Sequence, residues 1–264
     1  MPGEAPSRRD EIRLLVRGDD FASTHAANLA CIDSYRKGIV RSTEIMVPCP
    51  WFEEGCRLLN ENPGLDAGIH LVLTSEWTEY KWRPLTRCPS LTDRRGYFFH
   101  DLRSLLEPDC PMNEAEAELR AQIDLCLERV PHISHLTGHM GWETARLDFA
   151  ALFWKLAAAY GFDVSTSAEP VAIMPGYDKS GSPGDEVDSF IGELTKLTPG
   201  TWMFIEHPAY DHPEMQGVWR PGYEDVGKDR GDVTYVLTSP HVVQRIDEFG
   251  IRLISYRDLR VVAV

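Results

Sequence analysis

The stretch Ile12-Arg13-Leu14-Leu15-Val16, running into Gly18-Asp19-Asp20-Phe21, decides the fold: a short apolar β run ends in paired carboxylates, and a helical pattern follows. Ser23 or Thr24 is a good N-cap for that helix, with Leu29, Ile32 and Ile39 at near-helical intervals and Gly38 as its stop. The same alternation recurs outward along the chain. Thr43 to Val47 reads as strand two, Pro50 opens a short helix carrying Phe52, Cys56 and Leu59, and Ala67 to Leu73 reads as strand three. A helix is expected from Asn113, an N-cap with Glu116 three residues on, with Leu119, Ile123, Leu127 and Val130 lining one face. Ile133 to Thr137 is strand four. A helix through Phe149, Leu152, Phe153, Leu156 and Tyr160 ends at Gly161, and a short strand is expected near Phe162 to Ser165. Pro170 to Gly200 reads as loop with a helix around Val187 to Leu197, and Thr201 to Glu206 as another strand. After a second long loop, Ser239-Pro240 caps a helix before the last strand, Ile251 to Ser255. Strands alternating with helices signify parallel β/α architecture. Roughly seven such steps fall short of an eightfold barrel. The expected fold is therefore α/β, a distorted or incomplete TIM-like (β/α) barrel of about seven parallel strands. Residues 12–264 would form a single domain behind an N-terminal tail of residues 1–11.

Composition narrows the function. A chain of 264 residues with 43% apolar and 26% charged residues belongs with soluble globular proteins and can bury a large core. Its 27 Lys and Arg against 41 Asp and Glu give a formal charge of −14, which repels a phosphate backbone or an anionic membrane. Nucleic acid and membrane are thus not expected partners. The cysteines, Cys31, Cys49, Cys56, Cys88, Cys110 and Cys126, form no C-x-x-C pair and read as reduced thiols. The first residues contain no apolar leader core, and no stretch approaches ~18 uninterrupted apolar residues, so the chain as given reads as cytoplasmic. The irregular stretch Thr74 to Met112, rich in Pro, Trp and Arg, is too long for a simple connection and is expected to be functional.

Polar signals sit where three predicted strands end. Asp19-Asp20 follows strand one, where one carboxylate can bind a cation while the other reaches a water beside it; Gly-Asp-Asp is also good turn chemistry. His70 lies inside Gly68-Ile69-His70-Leu71-Val72-Leu73, where a histidine is either a ligand or a satisfied core group. His132, His135 and His139 cluster around strand four, and a strand leaving the barrel would turn only one or two of them to the site. Active sites of parallel β/α folds form at the C-terminal strand ends. Asp20, His70 and His139 would there offer two imidazoles and a carboxylate to one face of a divalent ion, leaving positions open for water and substrate.

These residues lie in a series of blocks: G-D-D-F, S-T-E-I-M-V-P-C-P-W-F, N-P-G-L-D-A-G-I-H-L-V-L-T-S-E-W, S-L-T-D-R-R-G-Y-F, S-H-L-T-G-H-M-G, E-H-P-A-Y and G-I-R-L-I-S-Y-R-D-L. In that order, from about Arg13 to Leu259, the chain resembles the YdjC/ChbG-type carbohydrate deacetylases. The resemblance implies a distorted β/α barrel and metal-dependent deacetylation of N-acetylated saccharides such as chitooligosaccharides. It implies Asp20, His70 and His139 as the metal set, Asp19 as catalytic base, and His207 near the site. Two departures stand out. Ala22 occupies a position where many members carry Gly, and Thr137-Gly138 replaces an Asp-Ser pair, which would alter the shell around His139 or mark a subgroup with another substrate.

The implied reaction is attack of water on an acetamido carbonyl, with Asp19 taking the proton and His207 giving one to the departing amine. Trp77, Trp82, Trp142 and Tyr210 are candidate platforms for the apolar faces of a sugar, and Arg17 and Arg230 candidate partners for its hydroxyls or a carboxylate. Imidazoles favour zinc, whereas a site retaining much water could hold magnesium. Competing readings are a metal-dependent amidase or esterase acting on a non-sugar substrate, a phosphoesterase, and a non-catalytic carbohydrate-binding relative. The sequence shows neither a bridging carboxylate set nor a phosphate-cradling loop for the phosphoesterase. Oligomeric state is open, a homodimer being common among such enzymes.

Overall fold

The computed structural model describes residues 11–107, 110–162 and 170–259. Its central strand is β1, Ile12–Phe21, whose alternating side chains serve two surfaces. Leu14 and Val16 join the large apolar cluster under the helices, whereas Leu15 joins a small separate cluster with Ile254 and Leu259. The first half continues with α1 (His25–Arg36), β2 (Ser42–Ile45), α2 (Phe52–Glu61), β3 (Asp66–Leu71), α3 (Leu102–Leu106), α4 (Met112–Arg129) and β4 (His135–Gly138). The second half holds α5 (Trp142–Ala145), α6 (Leu147–Ala159), β5 (Val171–Ile173), α7 (Pro183–Leu194), β6 (Gly200–Glu206), α8 (Val226–Thr238), α9 (Pro240–Glu248), β7 (Arg252–Ile254) and α10 (Tyr256–Leu259). Thr24 caps α1 as its sequence predicts, accepting from the Ala27 amide at 2.9 Å.

Among the described residues every strand pair is parallel, in the order β4-β3-β2-β1-β6-β5 with β7 also on β1. β6 covers one edge of β1 from Ile12 to Gly18. β7 and β2 share the other edge end to end, β7 at Arg13 to Leu15 and β2 at Arg17 to Phe21. Among the described residues nothing pairs β4 with β5, so the sheet curls without closing. This is the incomplete barrel of seven parallel strands that the alternation predicts.

Some elements differ from the sequence reading. Phe162 lies in no strand, 163–165 fall outside the described residues, and the fifth strand is β5, inside the segment read as loop. Three residues, two of them exposed, carry no periodic signal. The second long loop contains α8, whose Gly227, Gly231 and β-branched residues hide a helix that packs Val226, Val233, Val236 and Leu237 inward. α4 begins at Met112 with Pro111 as its cap rather than at Asn113. The stretch after β3 is clamped to α4 by buried polar groups. Glu118 accepts from the Leu85 and Thr86 amides at 3.1 and 2.8 Å, and Gln122 bonds both backbone groups of Val72 at 2.9 Å. Among the described residues no helix is long and apolar enough to cross a membrane.

Candidate active site

Adjacent residues of a regular strand face opposite sides of the sheet. Asp19 and Asp20 nevertheless line the same cavity of about 420 Å³. A β-bulge is the reason: Gly18 pairs with Thr43 and Phe21 with Ile45, so three steps along β1 match two along β2. Asp20 absorbs the extra residue at φ 62°, a left-handed conformation that Asp tolerates better than most residues. The carboxylates thus lie within β1 and not beyond a strand ending at Val16.

His70 projects from β3 and His139 follows β4 directly. One ligand atom from each of Asp20, His70 and His139 lies within 4.8 Å of the others, and all three residues are buried. His70 Nε2 is 3.9 Å and His139 Nδ1 3.4 Å from the same oxygen, Asp20 Oδ1. Arg230 donates to Asp20 Oδ2 at 2.8 Å, while Oδ1 is buried with no hydrogen-bond partner among the described residues. An orphaned carboxylate oxygen facing two imidazoles fits a cation, so these three residues could hold a metal ion.

Both imidazoles are oriented from behind. His139 Nε2 lies 3.0 Å from Glu76 Oε2, which leaves Nδ1 facing Asp20. His70 Nδ1 lies 2.8 Å from Thr137 Oγ1, whose hydroxyl donates to Glu44 Oε2 at 2.7 Å. Because Glu44 takes the threonine proton, Thr137 accepts from His70 Nδ1–H and leaves Nε2 with its lone pair towards the site. Glu44 Oε1 also meets His135 Nε2 at 2.6 Å. Gly68 makes room for that pair, since a Cβ there would fall 2.4 Å from both Glu44 Oε2 and His135 Nε2. Thr137 therefore belongs to the surroundings of His70, not His139.

Electrostatics separate the two aspartates. Burial raises the Asp19 carboxyl above its ordinary value despite Arg17, whose Nη2 donates to Oδ2 at 2.7 Å. Burial also works to raise Asp20, but Arg230, His207 and His139 outweigh it and hold that carboxyl well below the usual range. His70 is lowered to about 3 by burial and by His139, so it is neutral and able to ligate. His139 is raised to about 10, burial being overcome by Glu76 and Asp20, so without a cation its ring is protonated and it would ligate only by releasing that proton. Burial lowers His207, which lines the same cavity.

The other predicted residues divide. Trp77 lines the cavity, with the Arg230 guanidinium 5.3 Å from its ring centroid. Arg17 and Arg230 line it too, but as partners of Asp19 and Asp20. Trp142 is fully buried, donates to the Leu71 carbonyl at 2.7 Å and packs on Phe149 and Phe153, which places it in the core rather than on a sugar-facing wall. Trp82 is buried as well, donating to the Thr74 carbonyl at 2.8 Å and standing 6.0 Å from the His139 ring, which it backs. Tyr210 bonds Asp33 at 2.6 Å and stacks on His212, away from the cavity. Of the histidines around β4, His139 faces the site, His135 pairs with Glu44, and His132 does not line the cavity.

Sequence reasoning missed Glu44, Glu76 and Glu143. Glu44 could have been found, since a carboxylate inside the apolar run Thr43 to Val47 is out of place on a buried strand. Glu76 and Glu143 sit in loop-like sequence with no local signal. A second hollow of about 600 Å³ adjoins the first, sharing Glu76, Arg220 and Tyr223 with it and adding Phe98 and Phe99.

Fold and site together define a class: a curled parallel α/β sheet with a carboxylate and two imidazoles, able to hold a cation, gathered at its C-terminal strand ends. The chain belongs to the YdjC-like protein family, whose model matches residues 13–248. It is 32% identical over 257 residues to a carbohydrate deacetylase of Thermus thermophilus, covering 89% of this chain and 90% of that protein. It is 30% identical over 261 residues to a carbohydrate deacetylase of Listeria monocytogenes serotype 4b, covering 94% of this chain and 100% of the relative. A crystal structure from Enterococcus faecalis V583 shares the fold with a TM-score of 0.76 at 23% identity, covering 95% of this chain and 100% of that one.

Proposed function

We propose that this chain is a metal-dependent carbohydrate deacetylase, a hydrolase that removes the acetyl group from an N-acetylated amino sugar or oligosaccharide and releases acetate. The observation that carries this reading is the orphaned Asp20 Oδ1 between His70 and His139, with Asp19 beside it in the same cavity. The names of the relatives point the same way. Asp20, His70 and His139 would hold one divalent ion, zinc before magnesium because of the two imidazoles. When bound, such an ion polarises the acetyl carbonyl and acidifies a nearby water.

The chain's own residues supply the rest. Asp19, oriented by Arg17, accepts the water proton as the oxygen adds to the carbonyl carbon. Burial keeps His207 neutral between turnovers, so the proton that Asp19 takes from the water is handed on through His207 to the nitrogen as the C–N bond breaks. Arg230 keeps Asp20 ionised and fixed while these protons move. Trp77 offers its edge of the cavity to a sugar face, and the adjoining hollow gives room for a second sugar unit. We place the protein in the cytoplasm with a small carbohydrate as its partner.

The test is acetate release from N-acetylated mono-, di- and oligosaccharides, using metal-stripped protein and protein reloaded with zinc, magnesium, manganese or cobalt. Metal-dependent release from at least one sugar is expected. No release from folded, metal-loaded protein would overturn the reading.

A further inference from the structure

Gly138 has ordinary extended backbone, φ −106° and ψ 125°, which any residue adopts. What it lacks is room for a side chain. A Cβ there would lie 1.8 Å from Glu143 Oε2, 2.5 Å from its carboxyl carbon and 3.1 Å from Oε1. Glycine at 138 is thus what lets the Glu143 carboxyl lie across the end of β4, one residue from His139. The next residues of α5, Thr144 and Ala145, are exposed, whereas Glu143 turns inward. Gly138 and Glu143 both line the catalytic cavity.

The carboxyl is poorly provided for by the protein. Burial raises the Glu143 carboxyl above its ordinary value, the backbone N–H groups of Glu143 and Gly138 offset this only in part, and among the described residues Oε2 is buried and makes no hydrogen bond. Burying an unpaired acceptor is unfavourable, and more so when it is charged. The cations whose field reaches it, Arg17 and His139, are engaged by Asp19 and by Asp20 with Glu76. The unmet acceptor in this wall matches a donor that arrives with the substrate. On an N-acetylated sugar the amine is acylated and neutral, so the donors away from the reacting amide are ring hydroxyls.

Resting on the deacetylase reading, we propose that Glu143 is a specificity-determining residue, its carboxylate accepting a hydrogen bond from a ring hydroxyl of the substrate, with Gly138 reserving the space it needs. Removing a hydroxyl that a site is built to bond is expected to lower kcat/KM by about ten- to a hundredfold. The contact also belongs to binding, so Glu143→Gln should act mainly through KM.

The experiment compares a β-1,4-linked N-acetylglucosamine disaccharide with its monodeoxy analogues, for the wild type, Glu143→Gln, Glu143→Ala, Gly138→Ala and the Glu143→Ala/Gly138→Ala double variant. One deoxy analogue should be disfavoured by the wild type and accepted by Glu143→Ala within about twofold of the parent sugar. Gly138→Ala must expel the carboxyl, so it should lose the same discrimination. In the double variant the added methyl meets an emptied space, and its effects should fall short of the sum of the single ones. Calorimetric affinities for the same sugars need no turnover and should follow the same pattern. Discrimination that survives in folded Glu143→Ala, or a lowered Tm with no change in discrimination, overturns the proposal. If the wild type releases no acetate but calorimetry shows the deoxy pattern, the deacetylase reading fails and Glu143 stands as a sugar contact.

Discussion

Replacing Thr137 by valine keeps the branched shape of the side chain and removes one hydroxyl. That hydroxyl accepts from His70 Nδ1 at 2.8 Å and donates to the buried Glu44 carboxylate at 2.7 Å. Losing one neutral and one charge-assisted hydrogen bond corresponds to about 2–4 kcal/mol. For a chain of this length, 1 kcal/mol shifts Tm by about 2–4 °C, so metal-free Thr137→Val should melt about 4–16 °C below the wild type. A second effect is separate from stability. Without an acceptor for Nδ1–H the His70 ring loses what orients Nε2, and metal affinity should fall about 10–100-fold, equivalent to about 1.4–2.7 kcal/mol. Calorimetry of the metal-free proteins and zinc titration against a competing chelator measure the two quantities independently. Thr137→Ser retains the hydroxyl and should keep zinc affinity within about threefold of the wild type. Zinc binding by Thr137→Val within about twofold of the wild type would refute the orienting role of the hydroxyl. A serine variant as weak as the valine one would show that a hydroxyl without the neighbouring methyl group does not suffice to orient the ring.

Asp19→Asn should lower kcat by about 10²–10⁴-fold with metal still bound stoichiometrically; a variant that keeps most activity while loaded is incompatible with Asp19 as the base. Burial works to raise Glu44, but His135 and Arg17 hold its pKa at about 2 against an ordinary 4.5. Its contribution is therefore fully present above the ordinary value and is lost as pH falls towards 2, on the order of 3 kcal/mol. Glu44→Gln should show a shallower loss of stability over that acid range in urea unfolding, and an unchanged slope would count against the assignment. Ala22 sits at φ 74°. The left-handed conformation costs an L-residue about 1–2 kcal/mol, and glycine's extra chain entropy offsets about 0.5–1, so Ala22→Gly should gain about 0.5–1 kcal/mol. A Tm higher by about 1–4 °C is expected, and a lower one would show that the methyl contact outweighs the strain.

The parallel β/α architecture and the candidate ligand set were legible because both rest on short-range regularities. Apolar runs of strand length mark β1, β3 and β4, and parallel sheets bring their C-terminal ends together, so Asp20, His70 and His139 could be gathered before any contact was known. Register then chose among the histidines: Gly68 beside His135 and Leu71 beside Gly138 put His139 at the strand end and His135 beneath it. β5 and α8 escaped notice because one is too short to show a period and the other carries helix-weakening residues that only packing overrides.

By itself the sequence determined the class of fold, the net charge, and which residues are candidates to bind a cation. Only the tertiary structure decided that Asp19 and Asp20 face one cavity, since that depends on a bulge between β1 and β2. It likewise sent Trp142 into the core, tied Arg230 to Asp20 across 210 residues of chain, and let Gly138 admit the Glu143 carboxyl. Periodicity and capping act over a few residues and are written locally. Burial, pairing register and the partner of each charge depend on residues far apart in sequence, and they exist only once the sheet has curled.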